Sequence, residues 1–553
     1  MVDGSIGIVD AESVSLKATS TWKYCSQAIT DLKFSPDGTM LAAGCKDGNI
    51  YVYIRNADEN TFRRKAVCRG HASAVTHIDF SSNSQYLQSN SADFGLLFWD
   101  ILGNPVKSAA SMRDCTWATM TCVFGWAVQG VHSETGDDST HVNTCCALPG
   151  VGDIITGSVD HTVKLYRYPA IYPESLHQSY TGHSSSVSCV RFSYNRRHAI
   201  SLGETDSTIL LWAHTMEDTE CSDDEEQGPE RKYKEVDTWS QTIKGKYSQK
   251  IESRNEIGNV GPRSLLQEAI NSSQPVEIIA QIARLEGYYG GEKKVQPWKG
   301  VIVEPTSWVH EKGGTDVDLG LQWIHGYRCH DCRNNVRYSA AGYIVFTAAA
   351  VGVVYSRSAG KQKFFQGAHA DDIIGLAAHP SGQLFATGET GRQPSIIVWS
   401  SEDMRYMARI ECSHLTGVPL LAFNSKGNML ASVGLDENHT LVVHDWAKNV
   451  TVLRTPTDKR EVYCMCYLAD SLSDSEPSSL AADNGLRTAA SASNIIVTAG
   501  YKHVKFWWSK GQNISSQRGI FGKEKRDVFM CVASGTSGAF PHTCAPHEMY
   551  YIV

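Results

Sequence analysis

Two separate stretches of the chain are written on one template. "GHASAVTHIDFSSNSQYLQSNSADFGLLFWD" runs from Gly70 to Asp100, and "GHSSSVSCVRFSYNRRHAISLGETDSTILLW" from Gly182 to Trp212. Each opens on Gly-His and an alternating strand such as "VTHIDF", in which every second side chain is apolar. A polar turn follows, then a strand ending in Ser, a tight turn carrying Asp, and an apolar strand ending in Trp. Three short strands in a meander are predicted, with room for a fourth before the next copy. A unit of that kind cannot bury both its faces alone, so copies have to stack.

The shared polar residues predict a buried relay. The indole N–H of Trp99 needs an acceptor, which the Ser89 hydroxyl can be. Ser89 can donate to His71, and Asp93 in the turn can hold the other ring nitrogen. His183, Ser201, Asp206 and Trp212 repeat the set. Buried polar groups stabilise a fold only when all are satisfied, and then they fix one strand register. These histidines are therefore read as structural, neither catalytic nor metal-binding.

Weaker copies keep the six-residue step from turn to strand end: Asp3 to Val9, Asp47 to Tyr53 and Asp160 to Tyr166. Further on, Thr387 leads to Trp399, Ser432 and Asp436 precede "LVVHDW" with His444 in the tryptophan slot, and Thr498 leads to Trp507. Regular short strands closed by a Trp-Asp-like signature predict an all-β chain of β-propeller blades, and the pattern resembles the WD-repeat class.

At 553 residues the chain exceeds one ordinary core, and its hydrophobic fraction of 42% is that of a globular protein. No apolar run of membrane-spanning length occurs, the first residues lack a secretory pattern, and the sixteen cysteines are read as reduced thiols. The net charge of −8 is concentrated in residues 213–230, with eight acidic residues and no Lys or Arg. That run is read as a solvated linker, within which Ser222, followed by Asp223, Asp224 and Glu225, fits an acid-directed phosphorylation site. With no basic stripe, nucleic acid is not an expected partner.

Three segments follow. Residues 1–213 hold four blades and a piece of a fifth. Residues 214–318 are a linker with the acidic run, a basic stretch over 231–254 and one helix expected over 275–289. Residues 319–553 hold the first blades of a second propeller. The expected fold is thus two incomplete propeller segments joined by a partly disordered linker. The segment "DGSIGIVD" reads as the end of a blade. "DVFMCVASGTSGAF" (527–540) reads as a first strand and turn, after which "PHTCAPHEMYYIV" lacks the expected second strand, Asp turn and Trp strand. Such a chain is expected to be a piece of a longer one, prone to aggregate unless its two halves complete each other.

The segment "HGYRCHDCRNN" (325–335) invites a metal or redox reading. A structural zinc site normally needs two separated ligand pairs, and Cys329 and Cys332 have only His325 and His330 near them. A redox Cys-x-x-Cys would need a βαβ setting. No metal or cofactor is expected. "LGLQWIHGYRCHDCRNNVRY" (319–338) instead resembles the opening signature of the tandem propeller in the echinoderm microtubule-associated protein-like family. Trp323, His325, Gly326, Tyr327, Arg328, Asp331, Cys332, Arg333, Asn334 and Asn335 match it, and Cys329 departs from a usual glycine. The resemblance implies that the apolar residues pack between two propellers and that Arg328, Asp331 and Arg333 make a hydrogen-bonded corner.

The resemblance further implies a non-catalytic scaffold that binds microtubules or tubulin through its propeller faces. It implies a place in the cytoplasm and on the microtubule cytoskeleton, the ciliary axoneme included. No phosphate-binding loop, His-Glu-x-x-His or nucleophile elbow occurs in the sequence. The alternative is a WD-repeat adaptor, for example a ubiquitin-ligase substrate receptor, with no tubulin contact. A chain of net acidic charge gains no long-range attraction to an acidic partner.

Overall fold

The computed structural model describes residues 3–9, 18–23, 25–56, 61–132, 141–148, 152–173, 175–216, 296–306, 313–329, 331–411, 414–468, 495–510, 513–519, 528–533, 542–544 and 549–551. Ser222, His330, the 231–254 basic stretch and the helix expected over 275–289 lie outside them. The described residues form seven four-stranded sheets, two three-stranded sheets and one two-stranded sheet, and in each the strands follow sequence order. These are propeller blades.

The local chemistry of a blade recurs. The turn before the third strand is fixed by an aspartate that accepts the backbone N–H two residues on: Asp47 from Asn49 at 2.9 Å, Asp160 from Thr162 at 3.1 Å and Asp206 from Thr208 at 3.0 Å. The next residue takes a left-handed backbone, which Gly48 adopts freely at φ 79° and which Phe94 and Ser207 adopt at 62° and 56°. The first turn of the blade at Gly70 is held by Ser81, whose hydroxyl accepts the N–H of Tyr86 at 2.9 Å.

Second strands are buried on both faces because a neighbouring blade covers each. All six residues of Met40–Cys45 and of Asp153–Ser158 are buried. Small residues set the approach. A Cβ on Gly44 would come 2.8 Å from Cγ1 of Val75, and one on Gly157 would come 2.5 Å from Cγ1 of Val187. The core therefore sits between blades, as where Ile50 and Val52 of one meet Ile78, Phe80, Leu87 and Trp99 of the next.

The linker boundaries expected at 213 and 319 fall within one sheet. Val187–Phe192, His198–Gly203 and Ile209–Met216 are joined by a fourth strand, Val317–His325. Val317, Leu319 and Ile324 enter a cluster with Val187, Trp212, Val351 and Val353. The opening-motif strand thus completes one blade and packs between adjacent blades. The N–H of Ala350 reaches the carbonyl of Gly182 at 3.3 Å, and Ser184 is hydrogen-bonded to Asp372. Residues 1–134, 140–215 and 296–553 make one compact unit.

Two further expectations need correction. Strand His542–Cys544 pairs with Cys531–Ala533, and Met549–Tyr551 pairs with His542–Cys544, so a second and a third strand do follow. They are three residues each and lack the Asp turn, which hid them from the pattern. The cysteines are not all isolated thiols either, because the sulfurs of Cys25 and Cys45 are in contact.

Candidate functional site

The relay at Trp212 is complete. Its Nε1–H donates to Ser201 Oγ at 2.9 Å, Ser201 pairs with His183 Nε2 at 2.8 Å, and His183 Nδ1 meets Asp206 at 2.9 Å. Asp206 also accepts from Thr208, and these bonds, set against its burial, hold its carboxyl below the usual range. At Trp99 the chain of contacts is shorter. Trp99 donates to Ser89 at 2.8 Å and Ser89 meets His71 at 2.7 Å, but Asp93 accepts the Ser91 hydroxyl at 2.5 Å. Burial pushes His71 down to about 4, against the pull of the Asp93 charge.

Two relays escaped the sequence reading. His369 meets Thr387 at 2.7 Å and Glu389 at 3.1 Å, and Glu389 also accepts the N–H groups of Ala370 and Ser395. Burial raises the Glu389 carboxyl, but these hydrogen bonds and the His369 charge outweigh it and hold it at about 2. His414 meets Ser432 at 2.9 Å, which in turn meets His444 at 3.4 Å. The signal was in the spacing. His71 to Ser89, His183 to Ser201, His369 to Thr387 and His414 to Ser432 are all eighteen residues apart. Neither new histidine follows a glycine directly, which is why a Gly-His search passed them by.

The tryptophan end varies. Trp507 donates to Thr498 at 2.9 Å. Trp399 is fully buried, stacked on Phe365 at 4.9 Å, and its Nε1 has no hydrogen-bond partner among the described residues.

A buried carboxylate was also missed. Asp79 is fully buried and accepts from the hydroxyls of Thr119 and Thr121 at 2.6 and 2.9 Å and from the N–H of Cys122 at 2.9 Å. It pins the irregular stretch that follows the three-stranded blade of Val75–Phe80, Tyr86–Ser91 and Leu96–Asp100.

In the opening motif, Arg328 grips Asp331 with two hydrogen bonds, 2.7 and 2.6 Å, and bridges to Asp372. Tyr327 donates to Asn335, whose amide donates to the carbonyl of Arg328 at 2.6 Å. Gly326 is at φ 140°, and a Cβ there would come 2.8 Å from the Ser207 carbonyl oxygen. Asn334 takes a left-handed turn at φ 57°. Trp323 packs edge-on to Tyr355 beside His325. Arg333 is not part of the corner, a correction to the expected trio. Its guanidinium lies over the Tyr463 ring at 5.0 Å and reaches the sulfur of Met530. Cys329 is exposed. Burial pushes the Cys332 thiol up to about 12, with Asp331 at 3.5 Å adding to the shift.

Comparison with known proteins places these features. Residues 1–214 match the family model described as the echinoderm microtubule-associated protein second beta-propeller, and residues 315–353 match the HELP motif. The human echinoderm microtubule-associated protein-like 3 is 35% identical over 189 residues, 34% of this chain and 21% of that protein. The Xenopus laevis protein-like 4 is 34% identical over 207 residues, 37% of this chain and 22% of the relative. For the human protein-like 2 the figures are 35% over 213 residues, 38% and 32%. The match thus spans a third or less of each relative's length.

Proposed function

We propose, from the match of residues 1–214 and 315–353 to models of the echinoderm microtubule-associated protein family's second propeller and the HELP motif, that the chain is a member of that family and a non-catalytic scaffold associated with microtubules in the cytoskeleton. The observation that carries this reading is the combination of that family's propeller with a motif strand that completes one of its blades. The relatives' names describe them as microtubule-associated. Relay-locked blades give a rigid body whose loops and faces present contact residues, which is how propellers serve as binding platforms. Tubulin is the partner this reading favours, engaged by propeller faces.

Tyr338 and Phe34, 70% and 59% exposed at the ends of first strands, supply aromatic surface of the kind that anchors protein contacts. Contact made by such groups is only partly weakened by salt. Co-sedimentation of the full chain with purified microtubules at low and moderate salt tests the reading. Pelleting that persists at moderate salt is expected. A folded chain that stays in the supernatant at both salts would leave the adaptor reading in its place.

A further inference from the structure

Away from the relays and the opening motif, one strand concentrates positive charge. Phe62–Arg69, "FRRKAVCR", is the last strand of its four-stranded sheet, and its Arg63, Arg64, Lys65 and Arg69 are all exposed. Arg55, also exposed, ends the preceding strand Asn49–Arg55 and stands opposite Phe62. Residues 55–69 hold five Arg or Lys against two acids, Asp58 and Glu59, in a chain whose net charge is −8. Arg63, Lys65 and Arg69 make no ion pair among the described residues.

The strand is also bulged. Arg63 and Arg64 stand opposite Ile54 and Tyr53, Ala66 stands opposite Val52, and Lys65 is the extra residue between them. Charge and a bulge can serve merely to keep an edge strand from pairing with another copy. A single cation suffices for that in Tyr406–Glu411 and Val450–Thr455, the last strands of two other sheets. Beside the cations stands an aromatic platform. Buried Phe62 is stacked on Trp22 at 5.4 Å, and Phe34, 59% exposed, lies 6.1 Å from Phe62. Arginine forks pair with carboxylates, and an exposed ring anchors an apolar side chain.

We propose that the Phe62–Arg69 strand, with Arg55 and Phe34, is a docking surface for a short acidic polypeptide segment of a partner protein. A nucleic acid duplex fits it less well. One strand's excess charge does not match a phosphate every 1.7 Å or so, and the acidic chain repels an extended polyanion beyond the strand. A short segment gains from the strand alone, because charges farther off than about 10 Å are screened at ordinary salt. The proposal does not depend on the partner being tubulin.

The test is fluorescence anisotropy of a labelled glutamate-rich peptide with one central tyrosine, titrated with the full chain. Saturable binding at low salt is expected, weakening as salt rises past about 0.1 M. Arg63→Glu combined with Lys65→Glu should weaken it about tenfold or more, and Phe34→Ser by a smaller factor. Lys361→Glu combined with Lys363→Glu changes the net charge equally on the last strand of another sheet, Lys361–Phe365, and should leave the affinity unchanged. No binding at low salt, or equal loss in both double variants, overturns the proposal. So does displacement of the peptide by a DNA duplex or phosphatidylserine vesicles at a lower anion concentration than unlabelled peptide requires. No arm uses microtubules, so failure here and failure to pellet are separate results.

Discussion

At the scale of single residues, the fold depends on whether each buried polar group finds its partner. Trp212 donates to Ser201, so Trp212→Phe takes the indole donor from a buried serine hydroxyl, while His183 keeps Ser201 and Asp206, and should cost about 1–3 kcal/mol beyond the change in packing. Trp399 has no such donor role among the described residues, and Trp399→Phe should cost only the packing term. Urea denaturation of the two variants, compared at equal slope, reads the difference. Equal losses would mean that the relay adds nothing. Acid sensitivity follows from the same burial. His71, His77, His132, His414 and His444 are each pushed down to about 4 by burial. Between that value and the ordinary 6.5 the unfolded chain takes up protons that the folded chain refuses, so stability falls as pH drops through the window. The slope is roughly 1.4 kcal/mol per pH unit for each histidine. Glu389, held at about 2 against an ordinary 4.5, adds a further loss at lower pH. Thermal melts from pH 7 to 4 should move steadily downward, and a flat profile would contradict the burial. The sequence exposed the relays at Trp99 and Trp212 because Gly, His, Ser, Asp and Trp all stand in place there. It hid those at His369 and His414, where glycine is displaced and glutamate or histidine substitutes, although the eighteen-residue step survived.

At the scale of elements, the blades were legible and their edges were not. Alternation and turn aspartates mark the inner strands directly, since every such strand is covered by the next blade. A fourth strand carries no shared polar residue, and the one that follows Ile209–Met216 comes from beyond residue 295. No local pattern could announce that pairing. For Cys531–Ala533 and its partners, three-residue strands are too short to show a period. The fate of Arg333 was likewise set by distant residues, Tyr463 and Met530. The joining strand should matter energetically. Leu319 is 4% exposed within the cluster that includes Trp212 and Val353. Leu319→Ala should cost about 2–5 kcal/mol, as other truncations in packed cores do. A loss below about 1 kcal/mol in urea denaturation would mean that the strand is only loosely docked.

At the scale of the molecule, the shared blade makes one unit of two segments that look separate in sequence. Three of its strands come from before residue 217 and one from after residue 316, and the core around Trp212 draws on both sides. A scaffold built this way presents its faces in a fixed relation across the join, which a partner touching both segments could read. The direct measurement is to express residues 1–216 and 296–553 as two chains in one cell and purify them through a tag on one. The account predicts that they co-purify, elute together and melt in one transition. Two chains that separate, each with its own transition, would contradict it.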